Sequence, residues 1–130
     1  MQYTDKVMKE FTKPKNQGEM EDYDGLGRVG SAVCGDVMEI YIKISKNKEG
    51  KEIIKDIKFK TFGCTSAIAS SSMLTQMVKG KTIEEAEKIT KQNVVDELGG
   101  LPPIKIHCSV LATDALKSAI DDYKKKKKLN

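Results

Sequence analysis

Apolar residues recur along this chain at two spacings, first every second residue and then every third or fourth. Met38, Ile40, Ile42 and Ile44 alternate with Glu39, Tyr41 and Lys43, the pattern of a half-buried strand. Asn47-Lys48-Glu49-Gly50 supplies turn chemistry, and a second run with Ile57 and Phe59 between lysines returns antiparallel to Phe62-Gly63-Cys64. Arg28 to Val33 is a candidate third strand. Helical spacing takes over at Cys64. Thr65 or Ser66 is placed to cap a helix to about Lys79, with Ile68, Met73, Leu74, Met77 and Val78 apolar and Gly80 as its stop. Thr82 and Glu85 have capping-box spacing and open a helix to about Thr90, and Asn93 is placed to cap a short turn ended by Gly99-Gly100. Leu101-Pro102-Pro103-Ile104-Lys105 is expected to be extended. The last helix starts near Cys108, with Leu111, Ala115, Leu116, Ala119, Ile120 and Tyr123 at helical spacing.

Ahead of the strands, Thr4 to about Thr12 predicts a short helix with Val7, Met8 and Phe11 on one face, ended by Pro14. Lys15 to Ala32 is polar and dotted with glycine, which suggests irregular structure. Strands first and helices after indicate an α+β fold, with helices packed on one face of a small antiparallel sheet of about three strands. At 130 residues the chain is expected to be one domain over 1–130.

Composition narrows the function classes. No stretch approaches the ~18 apolar residues of a membrane span. Met1 to Lys6 lacks the apolar core of a secretion signal, so a cytoplasmic protein without membrane partners is expected. The net charge of +4 is local: 23 basic residues less the run Lys124 to Lys128 leave 18 against 19 acidic ones. Basicity therefore belongs to the lysine-rich tail at 124–130. Such runs are usually solvated helix ends suited to the C-terminal dipole, and with few aromatics no nucleic-acid partner is expected.

Three cysteines carry the chemistry: Cys34-Gly35-Asp36, Gly63-Cys64-Thr65 and His107-Cys108-Ser109. An odd count does not complete a set of disulfides. All three fall at the ends of expected elements, where loops on a rigid scaffold carry function. Two fall at helix N-termini, which favour thiolate. A single free cysteine is commonly a buried small hydrophobe, but three at element ends beside Gly, Asp and His point to a site. Three thiolates with a carboxylate from Asp36 or an imidazole from His107 make the four-ligand set of zinc or an iron–sulfur cluster. His107 taken alone is as well explained as a structural histidine. Ser70-Ser71-Ser72 reads as small residues permitting close helix packing, since no phosphate-binding Gly-rich loop accompanies it. Met73 and Met77 match the apolar helix face rather than a copper site.

On Tyr3 to Gly18 (YTDKVMKEFTKPKNQG), Val29 to Met38 (VGSAVCGDVM), Lys60 to Ser72 (KTFGCTSAIASSS) and Leu101 to Leu111 (LPPIKIHCSVL), the chain resembles the U-type iron–sulfur cluster scaffolds, the IscU/NifU N-terminal family. The resemblance covers almost the whole length and implies a SufE/NifU-like fold. It implies a non-enzymatic carrier that receives sulfur from a cysteine desulfurase, assembles a transient 2Fe–2S cluster from iron, and passes it to apo-proteins. It assigns Cys34, Cys64 and Cys108 as ligands, and Asp36 and His107 as conditional fourth ligands. Zinc is admissible in the cluster-free state. Leu101, Pro102, Pro103, Ile104 and Lys105 match the segment bound by an Hsp70-type chaperone, which works with a co-chaperone. Either a monomer or a homodimer is compatible. Thr65 departs from the small residue, often Gly, common there.

Two rivals use the same residues. A zinc-binding sulfurtransferase would hold zinc on the cysteines and relay persulfide sulfur. The zinc-bound branch of the family, however, has an insertion before its last cysteine and lacks a His-Cys pair, whereas 44 positions separate Cys64 from Cys108 here. A cysteine hydrolase using Cys108 and His107 is disfavoured, because sequence neighbours rarely align as nucleophile and base.

Overall fold

The alternating run builds strand β2 (Val37–Lys46), which is the centre of a three-stranded antiparallel sheet in the order β1-β2-β3. The computed structural model describes residues 2–30 and 37–128. β3 (Glu52–Thr61) returns beside β2 across the expected turn, pairing Ile42 with Ile57 and Ile40 with Phe59. A bulge between Lys43 and Ile44 then shifts the register, so that Ile44 meets Ile54. The bulge reverses the side-chain alternation, and Ile54 is buried together with Ile57 and Phe59 despite its opposite parity.

β1 spans Gly25–Gly30, earlier than the expected Arg28 to Val33. Residues 31–36, which hold the end of that expectation, lie outside the described residues. The reason for the difference is packing. Gly25 and Gly27 look like loop residues but are strand positions on which the backbone of the last helix rests. A Cβ on Gly27 would lie 2.0 Å from the Ala115 carbonyl oxygen.

The helices cover one face of the sheet. α2 (Thr65–Val78) packs against β3, and α5 (His107–Lys128) packs on β1 and β2. Between them lies a core that includes Met38, Ile40, Ile42, Ile57, Phe59, Leu74, Leu116 and Ile120. On the opposite face Tyr41 is covered by Tyr23, the two rings meeting edge to face at 5.6 Å.

α1 (Asp5–Thr12) is capped by Thr4 and lies on α2. Val7 is buried as expected, but Met8 is exposed and Glu10 is buried in its place. The Glu10 carboxylate accepts from Ser72 Oγ at 2.7 Å and Gln76 Nε2 at 2.6 Å, which compensates its removal from water. Ser66, Ser70, Ser71 and Ser72 are all buried, in keeping with their reading as small packing residues.

The remaining helices correct several boundaries. Cys64, rather than Thr65 or Ser66, is the N-cap of α2. α3 (Ile83–Glu87) has the expected Thr82–Glu85 capping box but stops short of Thr90. Thr90 instead caps α4 (Lys91–Glu97), with Asn93 returning the reciprocal bond, so Asn93 is not the cap. Pro103–Lys105 forms a turn of 3₁₀ helix where extended chain was expected; proline at the first helical position loses no needed donor. α5 continues through Lys128, so the lysine run forms the exposed last turns of that helix.

Candidate metal centre

β3, α2 and α5 bring two of the cysteines together. After Thr61 the chain turns sharply. Thr61 Oγ1 donates to the Val37 carbonyl at 2.7 Å and accepts from Gly63 N–H at 3.1 Å, while Phe62 N–H donates to the same carbonyl at 3.3 Å. The Cys64 loop is thereby fixed to the first residue of β2. From the other side, Ser109 Oγ donates to the Ile106 carbonyl at 2.7 Å, stabilising the first turn of α5 around Cys108.

The Cys64 and Cys108 sulfurs lie 3.6 Å apart, and both cysteines are free thiols. Two sulfurs on one tetrahedral metal with ~2.3 Å bonds would stand about 3.8 Å apart. The pair therefore has the spacing of two ligands, well beyond the ~2.05 Å of a disulfide. Cys108 is buried and Cys64 half-buried. His107 Nε2 lies 3.6 Å from Cys108 Sγ, and Nδ1 lies 3.1 Å from the Ile104 carbonyl. With the proton on Nδ1, that carbonyl holds the ring and leaves the Nε2 lone pair for a metal, the usual way an outer partner orients a ligand histidine.

Burial pushes the Cys64 thiol up, but the backbone N–H of Ala67, the Cys108 thiol, the N–H of Ser66 and the Lys105 ammonium together hold it below the ordinary thiol range. Lys105 Nζ stands 3.9 Å from Cys64 Sγ. Cys64 is thus favoured as thiolate, the form that binds metal.

Of the residues singled out in the sequence, Cys64, Cys108, His107 and Lys105 converge. Cys34 and Asp36 lie outside the described residues. Among the described residues, no three of His, Cys, Asp and Glu are arranged as a metal-ion site. The contacts of Cys64, Cys108 and His107 run in a chain through the Cys108 sulfur. In the Leu101–Lys105 segment, Pro103 and Ile104 are exposed and the other three half-buried. Phe62, which sequence reasoning passed over, is 71% exposed two residues from Cys64; Ile104 is 68% exposed three residues from His107. An aromatic beside a glycine and a cysteine gives no periodic signal that would separate it from the core.

The family model for the NifU-like N terminal domain matches residues 2–130. The chain belongs to that family. Among curated relatives, the iron–sulfur cluster assembly scaffold protein IscU 1 of Archaeoglobus fulgidus is 59% identical over 124 residues, covering 95% of this chain and 78% of that protein. The iron–sulfur cluster assembly scaffold protein IscU of Azotobacter vinelandii is 53% identical over 132 residues, covering 99% of each. The solved N-terminal part of a nitrogen-fixing NifU-like protein from Brucella abortus superimposes with a TM-score of 0.70 at 18% identity, over 95% of this chain and 94% of that one. It supports the fold: a three-stranded antiparallel sheet with helices is what this NifU-like chain adopts. No described helix is long and apolar enough to cross a membrane.

Proposed function

We propose that this chain is a scaffold on which a 2Fe–2S cluster is assembled and from which it is passed to apo-proteins. The observation that carries the proposal is the 3.6 Å approach of the Cys64 and Cys108 sulfurs, at the entrances of two helices and beside a lysine. The cluster is cargo. It needs a site firm enough to build on and weak enough to release. Cys34, Cys64 and Cys108 supply soft thiolates with affinity for iron, while Asp36 supplies a harder, more exchangeable oxygen. His107 is the alternative fourth ligand, with its ring oriented through Ile104. The positive helix N-termini and Lys105 favour an anionic cluster at this pole.

Sulfur arrives from a cysteine desulfurase as persulfide and lands on Cys34 or Cys108, and two electrons per sulfur from an external reductant cleave the S–S bond to give the sulfide of the cluster and restore the thiol. An acceptor protein's thiolate then displaces Asp36 as the cluster leaves. Exposed Phe62 and Ile104 offer apolar contact to these partners beside the ligands, and Leu101 to Lys105 is the segment proposed for an Hsp70-type chaperone and its co-chaperone. The protein works in the cytoplasm as a monomer or homodimer, and zinc occupies the thiolates when no cluster is present.

Serine in turn at Cys34, Cys64 and Cys108, followed by anaerobic reconstitution with iron and sulfide, tests the ligand set. Each variant is expected to lose the visible charge-transfer bands of the cluster. Full occupancy in any one would remove that cysteine from the site.

A further inference from the structure

The other end of α5 lies ~30 Å from Cys108 at 1.5 Å per residue. It borders a cavity of about 680 Å³ between the β2–β3 turn and the last turns of the helix. Five lysines line it: Lys46 and Lys51 from the hairpin, and Lys124, Lys127 and Lys128 from α5. Three carboxylates face them, Glu52, Glu84 and Glu87. Two of these are already neutralised. Glu87 holds Lys124 at 2.9 Å, and Glu52 holds Lys127 at 2.8 Å while also accepting from the Tyr123 hydroxyl. Among the described residues, Lys46, Lys51 and Lys128 make no ion pair; Glu84 lines the cavity beside them, and the Glu85 carboxylate lies within electrostatic reach of Lys51.

The unpaired ammonium groups come from separate elements, the hairpin and the helix end. An anion bridging hairpin and helix would draw these groups together and lower their mutual repulsion. Ile83 and the Tyr123 ring add apolar wall, and Thr82 adds a hydroxyl whose oxygen accepts from Glu85 N–H and whose proton can donate. The volume is that of a small-molecule site, for which ~300–1,000 Å³ is usual.

We propose that this cavity binds a small multivalent anion of the diphosphate or tricarboxylate class, held between Lys46 and Lys51 on one side and Lys128 on the other. Bound there, it clamps the end of α5 to the hairpin and stabilises the folded chain by mass action.

Titration calorimetry of the full chain with pyrophosphate and with citrate, at constant ionic strength, tests this. At least one of the two is expected to saturate at one per chain, and the one that binds names the source of the negative groups. The Lys46→Gln/Lys51→Gln double variant, checked for folding by circular dichroism, should weaken that binding at least tenfold, whereas Lys125→Gln, outside the cavity, should leave it unchanged. No saturable heat with either anion overturns the proposal. So does equal affinity in the double variant, which would place the anion away from the hairpin lysines, or an equal loss in Lys125→Gln, which would reduce it to condensation on the lysine run.

Discussion

Cys64 and Cys108 stand 44 residues apart in the chain, and their sulfurs lie 3.6 Å apart in space. The two thiols are not equivalent. Cys108 is buried, whereas Cys64 is partly open at the N-terminus of α2 and lies next to Lys105.

Cys64 should therefore be alkylated by iodoacetamide before Cys108 in metal-free protein. Its rate should rise with pH through a midpoint below that of the same cysteine in urea. Burial opposes ionisation, but the N–H groups of Ala67 and Ser66, the Cys108 thiol and Lys105 outweigh it. The linked stability follows the sign of the shift. With a folded value depressed below the unfolded one, stabilisation is full above the unfolded thiol's pKa and is lost as pH falls through the folded value. Lys105→Gln should move the midpoint up slightly, since its ammonium is the smallest of these causes. A folded midpoint at or above the unfolded one, read by peptide mass spectrometry, would refute the electrostatic part.

Gly27 sets how α5 sits on the sheet. A Cβ there would stand 2.0 Å from the Ala115 carbonyl oxygen and 2.4 Å from the Ala119 nitrogen, both backbone atoms that cannot swing aside. Gly27→Ala should cost ~2–3 kcal/mol, the upper part of the usual overpacking range. Gly50 provides the comparison. It has open space around it but φ of +82°, so Gly50→Ala should cost only about 1–2 kcal/mol of backbone strain. Urea denaturation of the two variants decides the matter. A Gly27→Ala loss no larger than that of Gly50→Ala would show that α5 shifts freely.

These glycines also show where the sequence was legible. Periodicity located β2, β3, α2 and α5, because their apolar faces are set by burial against one core. It missed the start of β1, because glycines chosen for close approach carry no apolar signal. It misplaced the cap of α4, since Thr90 and Asn93 both bond across the same turn and spacing alone does not order them. In the candidate site, the convergence of Cys64 and Cys108 was legible from their positions at element ends. Phe62 was not, because exposure is a property of the packed surface. Lys105 lies beside Cys64, a contact that only the packing of the 3₁₀ turn against the α2 N-terminus reveals.

Asp36 is the proposed release ligand. Clusters are ordinarily held by thiolates, so Asp36→Cys should lengthen the lifetime of a reconstituted cluster and slow its transfer to an apo-ferredoxin. Cysteine reaches its donor atom one bond sooner than aspartate, so lifetime and transfer rate are measured together to separate strain from tighter ligation. Unchanged lifetime with unchanged transfer would pass the role to His107, which Ile104 already orients.

The most direct test is the metal content and visible spectrum of the protein isolated without oxygen. A cluster scaffold should carry iron and acid-labile sulfide in equal amounts, with the charge-transfer absorption of a 2Fe–2S centre, and both should disappear in Cys64→Ser and Cys108→Ser. Zinc alone, bound by the same cysteines and persisting after anaerobic incubation with iron, sulfide and a cysteine desulfurase, would contradict the scaffold role and identify a zinc-binding sulfur carrier instead.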